Sequence, residues 1–352
     1  MNVLFDCERM KHRHVGLFTY CLELGNALRG ALATSSDTLS YYVRPEIGRA
    51  FFPDQRLVAQ RGLHRFGFRV GSEIDLWHGT EQRSTYAPRN PRLKQVLTIH
   101  DLNFLHEPDT RASKVKRSLR LVQRNIDRAD HLIAISGFVK QDVLANLKLG
   151  DRPITVVHNG CSRPSEGPDQ KPAFAPDAPF LFSLGVVTAK KNVHVLPRLL
   201  VGNDLRLVIA GRLADSAYRR RIMEEAERHR VAERLIFAGP ISEEQKRWCY
   251  THCEAFVFPS LAEGFGLPPI EAMSLGRPVF LSRATSLPEI GGTAARYFDS
   301  FEPEAMAATL RSGLDDFASH HDERTRALRE QAARFSWERC ARDCVAIYRS
   351  LV

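Results

Sequence analysis

Apolar residues in this chain gather in strand-length runs rich in Val, Ile, Leu and aromatic residues. Between them lie longer stretches in which apolar positions recur at helical spacing. The runs VLFD, LSYYV, IDLWHG, VLTIH, HLIAIS and ITVVH read as strands in the first half. FLFSLG, LRLVIAG, RLIFAG, AFVFPS, PVFLS and ARYF do so in the second. Helical stretches separate most of them, which predicts α/β architecture with two Rossmann-like, doubly wound parallel sheets. The Pro-rich polar segment SRPSEGPDQKPAFAPDAP reads as an interdomain linker. The expected division is residues 1–165 for the first domain, 163–179 for the linker and 176–335 for the second domain. The closing FSWERCARDCVAIYRSL has the pattern of an amphipathic helix.

Length agrees with this division, because 352 residues exceed one ordinary core and suit two. A hydrophobic content of 43% and a charged content of 26% are those of a soluble globular protein. No apolar run reaches the length of a membrane-spanning helix. MNVLFDCERM leads directly into a strand, so no signal peptide is read and a cytoplasmic setting is expected. Seven scattered cysteines without CxxC or Cys/His spacing read as reduced thiols.

Charge sharpens the picture once it is divided. Residues 1–165 hold 25 Lys and Arg against 16 Asp and Glu, whereas the remainder is balanced at 25 against 25. The whole net charge of +9 therefore belongs to the first half. Its densest part, Lys114 to Arg128, places Val115, Leu119, Val122 and Ile126 on one helical stripe. Arg117, Arg120, Arg124 and Arg128 fall on the opposite face. Such a face is either simply solvated or drawn to an anionic membrane or a phosphate-bearing acceptor. Nucleic acid is not expected as a partner, because no aromatic-interleaved basic motif accompanies it.

The candidate chemistry is concentrated in AEGFGLPPIEAMSLGRPV. It follows the strand AFVFPS and precedes the strand PVFLS, which gives strand, glycine loop, helix, strand. Gly264 and Gly266 let the backbone approach a ligand, and Pro268 and Pro269 suit a first helical turn. Gly276 and Pro278 end the helix. A helix start favours an anion, and the carboxylates of Glu263 and Glu271 are hydrogen-bond acceptors for hydroxyl groups. Together they describe a site for a nucleotide sugar. The stretch resembles the E-x7-E signature of the retaining glycosyltransferases of family 4, which have the GT-B fold. That resemblance implies a ligand cleft between the domains and a last helix (336–352) that packs back on the first. It also implies that Glu263 holds donor-sugar hydroxyls, Glu271 the ribose, and the Gly264, Phe265, Gly266 and Leu267 stretch the donor.

Further segments fit the same family. In LFSLGVVTAKKNVHVL, a strand ends at Gly185 and Asn192 is expected to cap the next helix. Lys190 and Lys191 then lie in the loop, where an ammonium can neutralise a leaving diphosphate. Lys191 matches the family's phosphate-binding lysine. Val186 stands where many members carry arginine, and Arg212 after Gly211 is a candidate replacement. Gly16 resembles the family's first loop, whose backbone approaches donor phosphate, with His14 in place of a second glycine. VLTIHDLNF carries His100 and Asp101 to a strand end, like the His-Asp pair of this branch. A histidine there can hydrogen-bond a sugar hydroxyl or phosphate. His78, ending DLWHG, is expected at the acceptor side. Asn159 and Gly160 suit a backbone crossing between domains.

No DxD motif occurs, so neither a metal nor any other cofactor is expected. The Lys-Asn form of the donor loop resembles bacterial mannosyltransferases of surface-polysaccharide assembly. This makes GDP-mannose the first expectation as donor and a UDP-sugar the second, with a glycan or lipid-linked acceptor. Peripheral contact with the cytoplasmic face of the inner membrane would follow. Three other readings stay open at this stage. One is a hydrolytic pair formed by Glu263 and Glu271. Another is a dinucleotide enzyme, for which the GxGxxG after the first strand is missing. The third is a non-catalytic basic membrane- or nucleic-acid-binding protein.

Overall fold

The computed structural model describes residues 1–12, 15–33, 36–107, 110–162 and 170–352; His14 and the 163–169 part of the expected linker lie outside them. The chain forms two compact units. One comprises Met1–Leu105, Asp109–Gly160 and Phe335–Val352, the other His106–Pro108 and Cys161–Arg334.

The first unit carries β1 (Asn2–Asp6), β2 (Thr38–Val43), β3 (Arg56–Ala59), β4 (Leu76–Gly79), β5 (Lys94–Ile99), β6 (His131–Ala134) and β7 (Ile154–Val156). They form one parallel sheet in the order β3-β2-β1-β4-β5-β6-β7. The second unit carries β8 (Phe180–Leu184), β9 (Arg206–Ala210), β10 (Leu235–Gly239), β11 (Ala255–Phe258), β12 (Val279–Ser282) and β13 (Arg296–Phe298). Its sheet is also parallel, in the order β10-β9-β8-β11-β12-β13. Every run read above as a strand is one. The addition is β3, an edge strand whose residues are all half-buried or exposed. Its polar flanks and lack of a buried apolar pair leave little signal in the sequence.

Strand order decides where a ligand can sit. In each sheet the winding reverses once, between β1 and β4 and between β8 and β11, and loops there leave in opposite directions. The carboxyl ends of those strands therefore border an open crevice. Leu181, Leu207, Val257 and Phe280 from the second sheet pack with Leu196, Leu199 and Ile222 beneath it. In the first unit Tyr42, Phe68 and Trp77 form an aromatic cluster with Leu4.

The last helix, Trp337–Leu351, belongs to the first unit and lies along the helix Gly16–Leu32. Ser336 caps it by accepting the Arg339 N–H at 3.1 Å. Gly160 is required by this return of the chain, because a Cβ there would stand 2.2 Å from the Trp337 nitrogen and 2.6 Å from its Cα. The basic segment is a helix, Ala112–Ile126, with Val122 and Ile126 buried and Val115 and Leu119 half-buried. Arg117, Arg120, Arg124 and Arg128 are exposed. None of the seven cysteines is in a disulfide. Among the described residues no helix is long and apolar enough to cross a membrane.

Candidate active site

The second unit brings Lys191 and Glu263 together. They follow β8 and β11, neighbouring strands on either side of the reversal, so residues 72 apart in sequence meet at one edge. The Lys191 ammonium is ion-paired with the Glu263 carboxylate and lies 4.7 Å from the centre of the Phe258 ring. Backbone contacts fix the two loops to each other. Leu261 N–H donates to Lys190 O at 2.8 Å, and the Ser260 hydroxyl lies 3.3 Å from the same oxygen. Lys190 itself turns to Glu107, 3.3 Å away in the short segment clustered with this unit.

A third loop clamps the acidic one. Thr285 Oγ1 accepts the Glu263 N–H at 2.9 Å, and the Ser286 hydroxyl reaches Phe265 O at 2.6 Å and Glu263 O at 3.0 Å. Thr285 holds φ at +52°, a costly conformation for a β-branched residue, and so belongs to a tightly determined turn. Phe265 is buried, whereas Leu267 is half-buried. Gly264 is buried without a positive φ, and Gly266 needs its freedom, with φ at +131°.

Two local expectations change. The helix Leu267–Ser274 does start at Gly266, with no side-chain cap. However, Pro268 and Pro269 have no N–H, and Ile270 N–H already points to Gly266 O at 3.4 Å. Leu267 is thus the one N–H donor in the first three helical positions, so an anion here must rely on loop amides and the helix dipole. Asn192 does not cap a helix through its side chain either. It takes a left-handed conformation (φ 55°) between two 3-10 segments, Ala189–Lys191 and Val193–Leu200. Asparagine tolerates that backbone, and this accounts for its place better than a cap does.

Arg212 follows β9, the neighbour of β8, and its carbonyl accepts Val187 N–H at 2.9 Å. It forms no ion pair among the described residues. Gly211 beside it has φ at +115°, and a Cβ there would lie 2.0 Å from Gly185 O. The two loops are therefore in backbone contact, and Arg212 shares the edge that carries Lys191.

Glu271 sits deeper. It is 6% exposed, with Lys246 Nζ at 3.0 Å from Oε1 and the Tyr250 hydroxyl at 3.0 Å from Oε2. Burial pushes Glu271 above the ordinary carboxylate value, and Lys246 and Tyr250 only partly bring it back. Burial pulls Lys246 down, but the Glu271 and Glu243 carboxylates outweigh it and lift the ammonium above its usual value. Lys246 and Tyr250 were not singled out from the sequence. They lie one turn apart on the helix Glu243–His252, opened by a Ser242–Gln245 capping box, and their spacing on one face was the only signal.

The first unit presents a separate edge. Gly16 opens its helix after β1, and a Cβ there would meet nothing within 4 Å. Among the described residues no side chain caps this helix, and Phe18 N–H donates to Val15 O at 2.9 Å. His100 and Asp101 follow β5. Gln82 clamps them, accepting His100 N–H at 3.2 Å and donating to Asp101 O at 2.8 Å. His100 Nε2 lies 2.8 Å from Thr80 O, and a carbonyl only accepts, so Nε2 carries the proton and Nδ1 is the acceptor nitrogen. Burial lowers its pKa, chiefly against the pull of Asp101, and keeps the ring neutral. Neutral Nδ1 suits a sugar hydroxyl rather than a phosphate oxygen. The Asp101 carboxylate accepts Asn103 N–H at 3.1 Å.

His78 is corrected. It is fully enclosed, with Nε2 at 2.7 Å from Thr98 Oγ1, Nδ1 at 2.6 Å from the Tyr348 hydroxyl and Phe5 against its ring. Burial pushes its pKa down to about 3. It locks the last helix onto the sheet and cannot touch an acceptor, because Tyr348 covers the strand end that was read as open. Among the described residues no group of three or more His, Cys, Asp or Glu is placed to hold a metal ion.

Comparison with known proteins bears on the family and the fold. Residues 166–334 match the family model "Glycosyl transferases group 1", and residues 15–162 match "Glycosyltransferase Family 4". The chain is 27% identical to O-antigen chain mannosyltransferase B of Escherichia coli over 395 aligned positions, covering 100% of both. It is also 27% identical to the serotype-specific mannosyltransferase WbdA of Escherichia coli, over 70% of this chain and 32% of that longer protein. In fold it superposes on sucrose-phosphate synthase from Thermosynechococcus elongatus with a TM-score of 0.78, at 19% identity and covering 100% of this chain and 99% of that one. With both sheets in place and both halves of the chain matched in order, the chain belongs to the family 4 glycosyltransferases of GT-B fold.

Proposed function

We propose that this enzyme transfers mannose from GDP-mannose to a glycan or lipid-linked acceptor in the assembly of a surface polysaccharide. The mannosyltransferase relatives in O-antigen synthesis support the sugar and the setting. The observation that carries the chemistry is the pairing of Lys191 with Glu263 at the β8–β11 reversal.

In this reading Lys191, Arg212 and the amides of the Gly264–Leu267 loop neutralise the departing diphosphate, as preorganised groups aimed at developing charge. Lys190 supports the same edge. Glu263 accepts hydroxyls of the donor sugar. Each Glu271 oxygen is engaged once, and a carboxylate oxygen can accept twice, so it retains capacity for ribose hydroxyls. His100 accepts a sugar hydroxyl through Nδ1, and Asp101 lies on the acceptor side. The sugar C1–O bond to the β-phosphate breaks while a bond from C1 to the acceptor oxygen forms on the same face. The acceptor's proton passes to the phosphate oxygen, and configuration at C1 is retained. The cations named supply the charge a metal would otherwise bring, so turnover is proposed to persist in EDTA. The exposed arginines of the Ala112–Ile126 helix are assigned to an anionic membrane surface, where a lipid-linked acceptor resides.

A thermal-shift series with GDP-mannose and UDP-sugars tests the donor, since a ligand of the native state raises the melting point. A shift with UDP-sugars alone would replace the donor assignment. Lys191→Ala and Glu263→Ala should each lower kcat about 10²–10³-fold, the range for losing one preorganised electrostatic group, while both variants stay folded. Near-normal turnover in both would remove the site.

A further inference from the structure

The first unit also carries an apolar projection on a short turn. The 3-10 turn Gly62–Phe66 leaves Leu63 76% and Phe66 63% exposed, more than any other large apolar side chain among the described residues. Its backbone is fastened beneath them. His64 Nδ1 lies 3.0 Å from the hydroxyl of buried Tyr42, and the His64 ring stacks on Phe68 at 4.7 Å. Phe68 in turn stacks on Tyr42 at 4.7 Å. Gly67, at φ +102°, turns the chain back, with its N–H on His64 O at 2.9 Å. The anchored histidine thus faces inward while its two apolar neighbours face water.

The turn itself carries only positive charge, and Glu73 beyond it is paired with Arg56. Arg61, Arg65 and Arg69 are exposed, and residues 55–72 contain no carboxylate. The Arg65 guanidinium sits 4.8 Å from the Phe66 ring centre. The positive surface continues beyond the turn. Arg89 donates its N–H to Phe68 O at 2.7 Å, and a Cβ on Gly67 would stand 2.2 Å from its Nε. Arg128 lines a small cleft together with Tyr86 and with Ala87, which is two residues before Arg89. Arg89 therefore links the Leu63–Phe66 projection to the arginine face of the Ala112–Ile126 helix.

Bulky apolar side chains standing above a field of arginines match one partner well. An anionic bilayer offers phosphates to the guanidinium groups and an apolar boundary just beneath them. A second copy of this chain would set arginine against arginine. We propose that Leu63 and Phe66 insert into an anionic lipid surface, with Arg61, Arg65, Arg69, Arg89 and the helix arginines on its headgroups. This rests on the peripheral placement proposed above and names the element that enters the lipid.

The test is co-sedimentation of the full chain with vesicles of phosphatidylcholine alone or mixed with phosphatidylglycerol. The wild type should bind the mixed vesicles and lose them at high salt. The double variant Leu63→Ser with Phe66→Ser should bind them more than about tenfold less, with an unchanged melting point and unchanged thermal shift by GDP-mannose. Each of Arg61→Gln and Arg65→Gln should weaken binding about fivefold. Phe66→Trp should shift its emission to the blue on mixed vesicles. Wild-type binding by the double variant, or unshifted emission from Phe66→Trp, would overturn insertion while leaving the helix reading intact. Conversion of a wild-type dimer to monomer by the double variant, with vesicle binding unchanged, would assign the projection to self-association and overturn the proposal. If only Arg117→Gln/Arg120→Gln/Arg124→Gln abolished binding, the helix alone would be the contact. If the wild type ignored mixed vesicles, the peripheral placement itself would fall.

Discussion

Lys246→Met isolates what Glu271 needs in order to work as a carboxylate. Lys246 and Glu271 are 13% and 8% exposed at their side chains and 3.0 Å apart, so water screens them little. Removing one partner of such a pair leaves the other charge buried, at a cost of about 3–5 kcal/mol. Tyr250 still reaches Oε2, which keeps the expected loss near the lower end. The cost also depends on pH in a defined direction. Glu271 is already raised above 4.5 by burial, and losing Lys246 raises it further. Between the unfolded value and that raised value the native state holds a proton that the unfolded chain has released. Stability of the variant must then fall as pH rises through the window. Below pH 4.5 Glu271 is neutral in both states and the penalty shrinks to lost packing. Urea unfolding of wild type and variant at pH 5 and pH 8 measures this, with the larger gap expected at pH 8. Binding of GDP-mannose should weaken in parallel, because a protonated Glu271 has less acceptor capacity for ribose. Equal destabilisation at both pH values, or unchanged donor affinity, would refute the pairing argument.

Other outcomes follow from the same structure. Gly160→Ala pushes a methyl group into the Trp337 backbone and should cost about 1–3 kcal/mol through overpacking; unchanged urea midpoints would count against that contact. Asp6 is raised to about 8, first by burial and then by the nearby Glu8 and Glu81 carboxylates, and its Oδ2 has no partner among the described residues. The native state thus keeps a proton that the unfolded chain loses near pH 3.8, so this group costs stability as pH rises from there to about 8. Asp6→Asn should therefore gain on the wild type between pH 5 and pH 8, and parallel stability curves would show that Asp6 is ionised in the fold.

Much of this protein is legible without coordinates, for local reasons. Parallel strands buried on both faces read as continuous apolar runs, and β3 escaped because it is a half-exposed edge. The Glu263–Glu271 stretch stood out because its glycines, prolines and helix stop act over a few residues. The errors were also local readings applied where distant contacts ruled. His78 ends a strand and looked accessible, but residue 348, 270 positions away, encloses it. Asn192 looked like a cap because its type favours caps, whereas the turn demanded a left-handed residue. Lys246 and Tyr250 share one face of their helix, but it took the fold to bring Glu271 against them.

By itself, then, the sequence determined the alternation of strands and helices and the two sheets, since periodicity and turn chemistry are short-range, and its resemblance to a family singled out Glu263, Glu271 and Lys191 as candidates. The tertiary structure decided which of these groups meet. Lys191 faces Glu263 only because β8 and β11 are neighbours at the reversal of the second sheet, and strand order is set by packing across the whole unit rather than by any one segment.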